Sequence, residues 1–486
     1  MNYLSFTFAF FVLAMLLVYY ALPKKTRPYI LLCGSLFFYG CFGLAYMPFL
    51  LFTALTSFFC ARALGAVRRK KLLIFGCVTV NFGIWFCIKD LQWVFHMGSM
   101  ALSVLGHSFE PPMLNILVPV GISYYTLQAF GYLFDVHSGK IVPEKNFVKY
   151  LLFLSYFPAI VQGPISRYDR LMPQLTNTNR FCFDTSRDSL VLVLWGVVKK
   201  MVLADRLAIF VNAVFAQFAE LQGVILYLGA VGYAFQLYFD FSGCVDICRG
   251  VSGLFGIELA NNFNRPYLAR SVKDFWGRWH MSLSSWLKDY VYIPLGGNRK
   301  GTLRKYGNLL ITFLVSGLWH GAGMEFLAWG LLHALYQIIG QATQNIRQKA
   351  NRLLGIQKDS LSQRIFQTLI TFHLVTLAWI FFRSEGTVEA CLYIGNMFSA
   401  PKWGALFDGM YTFGVDEPFF RLLLVHIVAI GFIDARTPSQ AHALTGLTRQ
   451  HIVLRWVVYL VLLFDIVLFG VYGSGYDLSG FMYGGF

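Results

Sequence analysis

The sequence predicts an all-α membrane protein that crosses the bilayer repeatedly, in about 11–13 spanning or re-entrant helices. Three observations predict it. Hydrophobic residues make up 57% of the 486 and charged residues only 13%, about half the ~25% charge content of soluble domains. Apolar stretches recur along the whole chain, and mean hydropathy is +0.57. Lys and Arg gather where those stretches end, as cytoplasmic loops require.

The elements follow in order. The first stretch, NYLSFTFAFFVLAMLLVYYAL, is long enough to span and lacks a basic leader region, so it reads as a membrane helix and not a signal peptide. Stretches near 29–45, 46–66 and 71–90 come next. Lys24, Lys25 and Arg27 lie two crossings away from Arg68, Arg69, Lys70 and Lys71. Both clusters are then cytoplasmic and the N-terminus is outside the cell membrane. Further apolar stretches fall near 113–134, 147–162, 189–211, 221–241, 307–340, 364–383, 420–434 and 453–474. Several are shorter than a ~20-residue span and are expected to be tilted, broken or re-entrant. The polar, basic stretch 344–363 reads as a cytoplasmic loop or short surface helix, and 391–419 as a loop on the other side. No repeat or linker divides the chain, so 1–486 reads as one domain.

Composition also excludes. The net charge of +16 reflects cytoplasmic loops and anionic lipid headgroups, so membrane lipids and not nucleic acid are the expected partners. Nine scattered cysteines have no paired spacing, which argues against a disulfide framework and for small buried apolar residues. No His, Cys and carboxylate cluster has metal-ligand spacing, so no metal is expected.

Residues 261–306 break the pattern. NNFNRPYLARSVKDFWGRWHMSLSSWLKDYVYIPLGGNRKGTLRKY holds nine Lys and Arg and two acids. Phe275, Trp279, Leu283, Trp286 and Tyr290 recur at helical spacing and predict one amphipathic face. Asp274 and Arg278, four apart, suit an internal ion pair. His280 lies beside that face; an interfacial anchor helix with an incidental histidine explains the spacing equally well. The turn PLGGNRKG, which contains Asn298, matches no phosphate-loop pattern.

The next apolar run, ITFLVSGLWHGAGMEF, has no charge until Glu325 and carries Trp319 and His320. A helix from Lys305, beside Arg304, to His320 rises about 22 Å at ~1.5 Å per residue, inside a ~30 Å hydrocarbon core. An imidazole at that depth must be hydrogen-bonded or solvated. Gly317, Gly321 and Gly323 let a backbone or a substrate approach closely. The alternative is a satisfied interhelical hydrogen bond. Gln236 and Asp240 share a helix face in YAFQLYFDFSG; Asp240 is expected to pair with an arginine or hold a histidine, and a structural ion pair is the plainer reading.

RWHMSLSSWLKDYVYIPLGGNRKG followed by SGLWHGAGMEFLAWGLLHAL resembles the membrane-bound O-acyltransferase family. The branch it resembles O-acetylates alginate and peptidoglycan, with the teichoic acid D-alanyl transfer protein as a related branch. PVGISYYTLQAFGYLFDV, FPAIVQGPISRYDRLMPQ, YFDFSGCVDICRG, NNFNRPY, FRSEGTVEA and the ending GFMYGGF add to the resemblance, which covers most of the chain. It implies tilted helices around a central tunnel, with His320 and His280 as the catalytic pair. Trp279, Arg278, Trp319, Asp240, Gln236, Arg265, Lys273 and Asn298 are then the candidate substrate contacts. No bound cofactor is implied. The donor is an acyl thioester on the cytoplasmic side, acetyl-coenzyme A or a carrier protein. The acceptor is an extracellular polysaccharide, reached through an extracytoplasmic SGNH-hydrolase-like acetyltransferase partner. D-alanyl transfer to teichoic acid, or a transporter without covalent chemistry, are the alternatives.

Overall fold

The computed structural model describes every residue except 108, 110, 111, 113–117, 178, 179, 322, 358, 407, 408, 437–445 and 473–486. Among the described residues all regular structure is helical. Five helices are long and apolar enough to cross a membrane: Leu44–Ala63, Lys70–Ser103, Val224–Leu254, Leu361–Arg383 and Ile452–Phe469. Shorter or more polar helices make up the rest, as the short apolar stretches require. The ending GFMYGGF lies outside the described residues.

By its contacts the chain forms two compact units. The first comprises Met1–Val193 and Ile247–Ala260. It opens with α1 (Phe6–Ala21), α2 (Arg27–Gly40), α3 (Met47–Ala63) and α4 (Lys70–Val104). The Ser5 hydroxyl accepts from the Phe8 N–H to start α1, and Pro28 and Pro48 open α2 and α3 where no backbone donor is needed. After them come α5 (Ile122–His137), α6 (Phe147–Ser155) and α7 (Tyr168–Thr176). Polar side chains tie these apolar helices together. The Trp85 indole N–H donates to the Ser123 hydroxyl (2.9 Å), and Ser57 and Tyr150 hydroxyls bond at 2.8 Å. With lipid as solvent, such bonds and close packing replace the hydrophobic drive between helices.

The 138–146 loop of this unit is a polar clamp. Lys140 lies 3.2 Å from Asp135 and 3.1 Å from Asp169. The Tyr168 hydroxyl and the N–H groups of Lys145 and Asn146 donate to the Glu144 carboxylate. Burial works to raise the Glu144 carboxyl, but these donors outweigh it and hold it below its ordinary value. Burial works to lower the Lys140 ammonium, and the two carboxylates hold it above its ordinary value.

The second unit comprises Leu194–Asp246 and Asn261–Tyr476. The division between units falls within α8 (Phe183–Val197) and within the long helix α10 (Val224–Leu254), with α9 (Asp205–Ala216) between them. The stretch 189–211 is not a uniform span. Residues Val198–Ala204 form a wide π-turn, and it sets two buried lysines side by side. Lys199 pairs with Asp246 (2.6 Å), and Lys200 with both Asp205 (2.8 Å) and Asp240. Pairing is what makes such charges tolerable away from water.

The 261–306 block is the second departure. Helical spacing predicts one amphipathic helix, yet the chain forms α11 (Val272–Trp276) and α12 (Met281–Leu287) with a break between them. Phe275, Trp279, Leu283 and Trp286 are all buried, so the apolar face is real but serves as a packed wall. The stretch 307–340 is likewise two helices, α13 (Thr302–His320) and α14 (Met324–Ala342). They are followed by α15 (Gln344–Leu353), α16 (Leu361–Arg383), α17 (Thr387–Ser399), α18 (Glu417–Arg436) and α19 (Ile452–Phe469). The cysteines are free, as their spacing predicts, but Cys33, Cys41, Cys87, Cys182 and Cys391 are exposed and not buried.

Candidate active site

His320 is the last residue of α13 and is 2% exposed. The hairpin that holds it is built on close backbone approach. A Cβ on Gly317 would lie 2.4 Å from the Phe326 carbonyl oxygen, and one on Gly330 2.5 Å from that of Phe313. Only glycine allows α13 and α14 to approach so closely. The His320 ring is set edge-to-face against Trp319 (4.8 Å between centroids), Phe382 (5.0 Å) and Trp329 (5.2 Å).

His280 is positioned differently. It stands in the break before α12 with a left-handed backbone, φ 43° and ψ 52°. That conformation is costly for a residue with a Cβ and persists only where its surroundings impose it. Asn262 imposes it. Its carbonyl accepts from the Met281 N–H (3.0 Å), and its side-chain oxygen accepts from the Ser282 N–H (2.9 Å). The Asn264 N–H donates to the Arg278 carbonyl (2.9 Å) on the other side of the break. The imidazole is 1% exposed, and neither ring nitrogen has a hydrogen-bond partner among the described residues. Phe241 lies 4.8 Å from its ring and Trp319 5.9 Å. The Trp319 indole thus touches both imidazoles.

A third histidine belongs to the same cage. His333, on α14 and fully buried, accepts at Nδ1 from the Trp276 indole N–H (3.2 Å), which leaves its proton on Nε2. Its ring contacts Trp329 (5.0 Å), and Trp329 contacts His320. Sequence reasoning missed His333. The available signal was its spacing, one helical turn after Trp329, in a segment that already carried His320.

The other expected site residues divide into three groups. Trp319 and Trp279 are in the aromatic cage, the latter 5.0 Å from Phe263 and 5.1 Å from Trp379. Gln236 and Asp240 are buried on α10, one turn apart, and Asp240 is ion-paired with Lys200. Arg278, Arg265, Lys273 and Asn298 lie outside the cage. Arg278 makes the expected pair with Asp274 (2.8 Å). Arg265 is half-buried beside a separate cleft. Lys273 is exposed, and Asn298 is exposed and accepts from the Tyr292 hydroxyl.

Chemically, the cage offers imidazoles, indole N–H groups and rings in a dry setting. A neutral imidazole there can accept a proton from an attacking hydroxyl, or donate to an oxygen that develops charge. Among the described residues no three His, Cys, Asp or Glu side chains are grouped so as to hold a metal ion.

A polytopic helical membrane protein with a buried histidine pair is the class that fold and site define. Residues 142–382 match the membrane-bound O-acyltransferase family. The chain is 33% identical over 392 residues to the probable alginate O-acetylase of Pseudomonas putida, a match covering 79% of this chain and 78% of the relative. It is 33% identical over 398 residues to the peptidoglycan O-acetyltransferase of Helicobacter pylori, covering 76% and 73%. The teichoic acid D-alanyltransferase of Bacillus subtilis is 28% identical over 286 residues, covering 56% and 71%. The chain belongs to the membrane-bound O-acyltransferase family and is an O-acyltransferase.

Proposed function

We propose that this enzyme takes an acetyl group from a thioester on the cytoplasmic side of the cell membrane and passes it outward for O-acetylation of an extracellular polysaccharide. The observation that carries the reading is the pair His280 and His320, buried together and bridged by Trp319. The higher identity and wider coverage of the O-acetylating relatives favour acetyl over D-alanyl transfer.

In this reading His320 is the general base. It takes the proton from the acceptor hydroxyl as that oxygen attacks the thioester carbonyl. The C–O bond forms, the C–S bond breaks, and the proton passes to the departing sulfur, so the step is proton-neutral overall. His280 donates to the carbonyl oxygen as it becomes an oxyanion, and the Asn262 clamp holds it in place. Acetyl-coenzyme A is the donor, with a carrier-protein thioester as the competing candidate. The acceptor enters from outside, where an SGNH-hydrolase-like partner receives the acetyl group.

The test uses purified full-length protein in lipid nanodiscs with labelled acetyl-coenzyme A, comparing wild type with His320→Ala. Thioester turnover in the wild type and none above background in the variant is expected. Equal turnover in both removes His320 from the chemistry. Consumption of a charged carrier protein, with acetyl-coenzyme A untouched, moves the enzyme to the D-alanyl branch.

A further inference from the structure

The connection between α14 and α16 carries a surface that the acyl-transfer reading does not use. It is formed by α15 (Gln344–Leu353), which starts just after α14 ends at Ala342. Every residue of α15 is exposed except Asn351, which is half-buried. At about 100° per residue, Ile346, Ala350 and Leu353 fall on one face. Ile346 is 67% exposed and Leu353 88%, and Leu354, the next residue, is 73% exposed. Arg347 borders this face on one side, and Lys349 and Arg352 follow on the other.

Charge and position decide what meets this helix. It contains no acid, and Asp359 is the one acid between Glu325 and Glu385. Asp359 is taken by Arg270 (3.0 Å). Arg347 donates to the Gly340 carbonyl in the last turn of α14, which fixes the junction and leaves the charge of α15 in place. A lone helix of ten residues is marginal in water. An apolar stripe with basic borders needs apolar surface beneath it and anions alongside. A membrane interface offers both, since Lys and Arg stems can lie along acyl chains while their heads reach the headgroups. The helix is also placed there by the chain: after a short loop comes α16, which is long and apolar enough to cross a membrane.

We propose that α15 lies in the membrane interface, with Ile346, Leu353 and Leu354 among the acyl chains and Lys349 and Arg352 on anionic phospholipid headgroups. The helix joins the two that carry much of the cage: α14 holds Trp329 and His333, and α16 holds Trp379 and Phe382. Between α15 and α16 the loop is held by the Arg270–Asp359 pair and by Ser360, whose hydroxyl accepts from the Gln363 N–H (3.3 Å) to start α16. An α15 seated on anionic lipid therefore ties the ends of both cage helices to the membrane surface. The proposal is independent of acyl transfer, because its readout is amide exchange in α15.

The test places the full-length protein in nanodiscs of phosphatidylcholine, with and without a minority of phosphatidylglycerol, and follows hydrogen exchange of the α15 amides by mass spectrometry at low salt. Phosphatidylglycerol is expected to slow exchange in α15 and to leave the α16 amides unchanged. Lys349→Gln and Arg352→Gln are each expected to lower that added protection about five-fold, since one basic residue near an anionic lipid surface is worth ~1 kcal/mol. Leu353→Asp, on the exposed apolar face, is expected to speed exchange in both lipid mixtures. Equal exchange of wild-type α15 with and without phosphatidylglycerol overturns the proposal, as does wild-type protection in the Lys349→Gln, Arg352→Gln double variant or in Leu353→Asp. So does slowing that appears only when an acidic carrier protein is added, for α15 would then dock a protein and not a lipid surface.

Discussion

The second unit buries polar groups in two contrasting ways. At the π-turn, Lys199, Lys200, Asp205, Asp240 and Asp246 form a cluster in which every member is ion-paired. In the cage, His280, His320 and His333 are walled by indole and phenyl rings. The first arrangement holds structure: each charge has an opposite charge within the cluster. The second keeps imidazoles in contact with aromatic rings, and in the proposed mechanism His280 and His320 turn that setting to proton chemistry on a substrate. The comparison teaches that burial of a polar residue is a weak sign of function, and that what surrounds it is the stronger one.

The largest expected effect tests the cage. His320→Ala and His320→Gln should each lower thioester turnover by about 10²–10⁴-fold, the usual worth of a positioned base. Their melting temperatures should stay near wild type. A His320→Gln enzyme with near-normal turnover would break the comparison.

Lys200→Met comes next and acts on stability. It leaves two buried aspartates facing an apolar side chain, at a cost of about 3–5 kcal/mol. A lowered melting temperature in nanodiscs is the expected reading, and adding Asp240→Asn should recover part of it. If Lys200→Met melts like wild type but loses turnover, the cluster is functional and the contrast fails.

Asn262→Ala sharpens the distinction within the cage. It removes one side-chain hydrogen bond, worth about 1 kcal/mol, and loosens the backbone at His280, which then keeps only the main-chain bonds of the clamp. Turnover should fall more than stability does, with kcat affected and KM little changed.

The smallest effect concerns the Lys140–Glu144 clamp of the other unit. Glu144 has a lowered folded value, so its stabilisation is present above the ordinary carboxylate value of ~4.3 and is lost as pH falls through the lowered one. Lys140 has a raised value, so its contribution is present below its ordinary value and is lost as pH rises through the raised one. Melting temperature followed down to about pH 3 should drop on the acid side in wild type. Glu144→Gln should flatten that limb and leave the neutral plateau only slightly lower.

Much of this was legible in the sequence. His320 in an apolar run, the glycines around it and the Asp274–Arg278 spacing all found their places in the structure. The family resemblance singled out the second histidine, since helical spacing alone put His280 on an anchor helix. That spacing missed the left-handed break, because Phe275, Trp279, Leu283 and Trp286 fit an unbroken helix equally well. Asn262, 18 positions before His280, gives no local signal of what it holds. The partner of Asp240 was hidden for a similar reason: Lys200 is 40 residues away, in a stretch whose hydropathy reads as an ordinary span. Periodicity reports which face a residue is on, not what it meets across that face.

The glycine contacts in the His320 hairpin have a genetic consequence. Every single-base change that alters the residue at a glycine codon introduces a Cβ. At Gly317 each such allele must displace the Phe326 backbone 2.4 Å away. Random mutagenesis of the gene, scored by loss of O-acyltransferase activity, should therefore find this codon nearly intolerant, although a glycine brings no side chain to the chemistry.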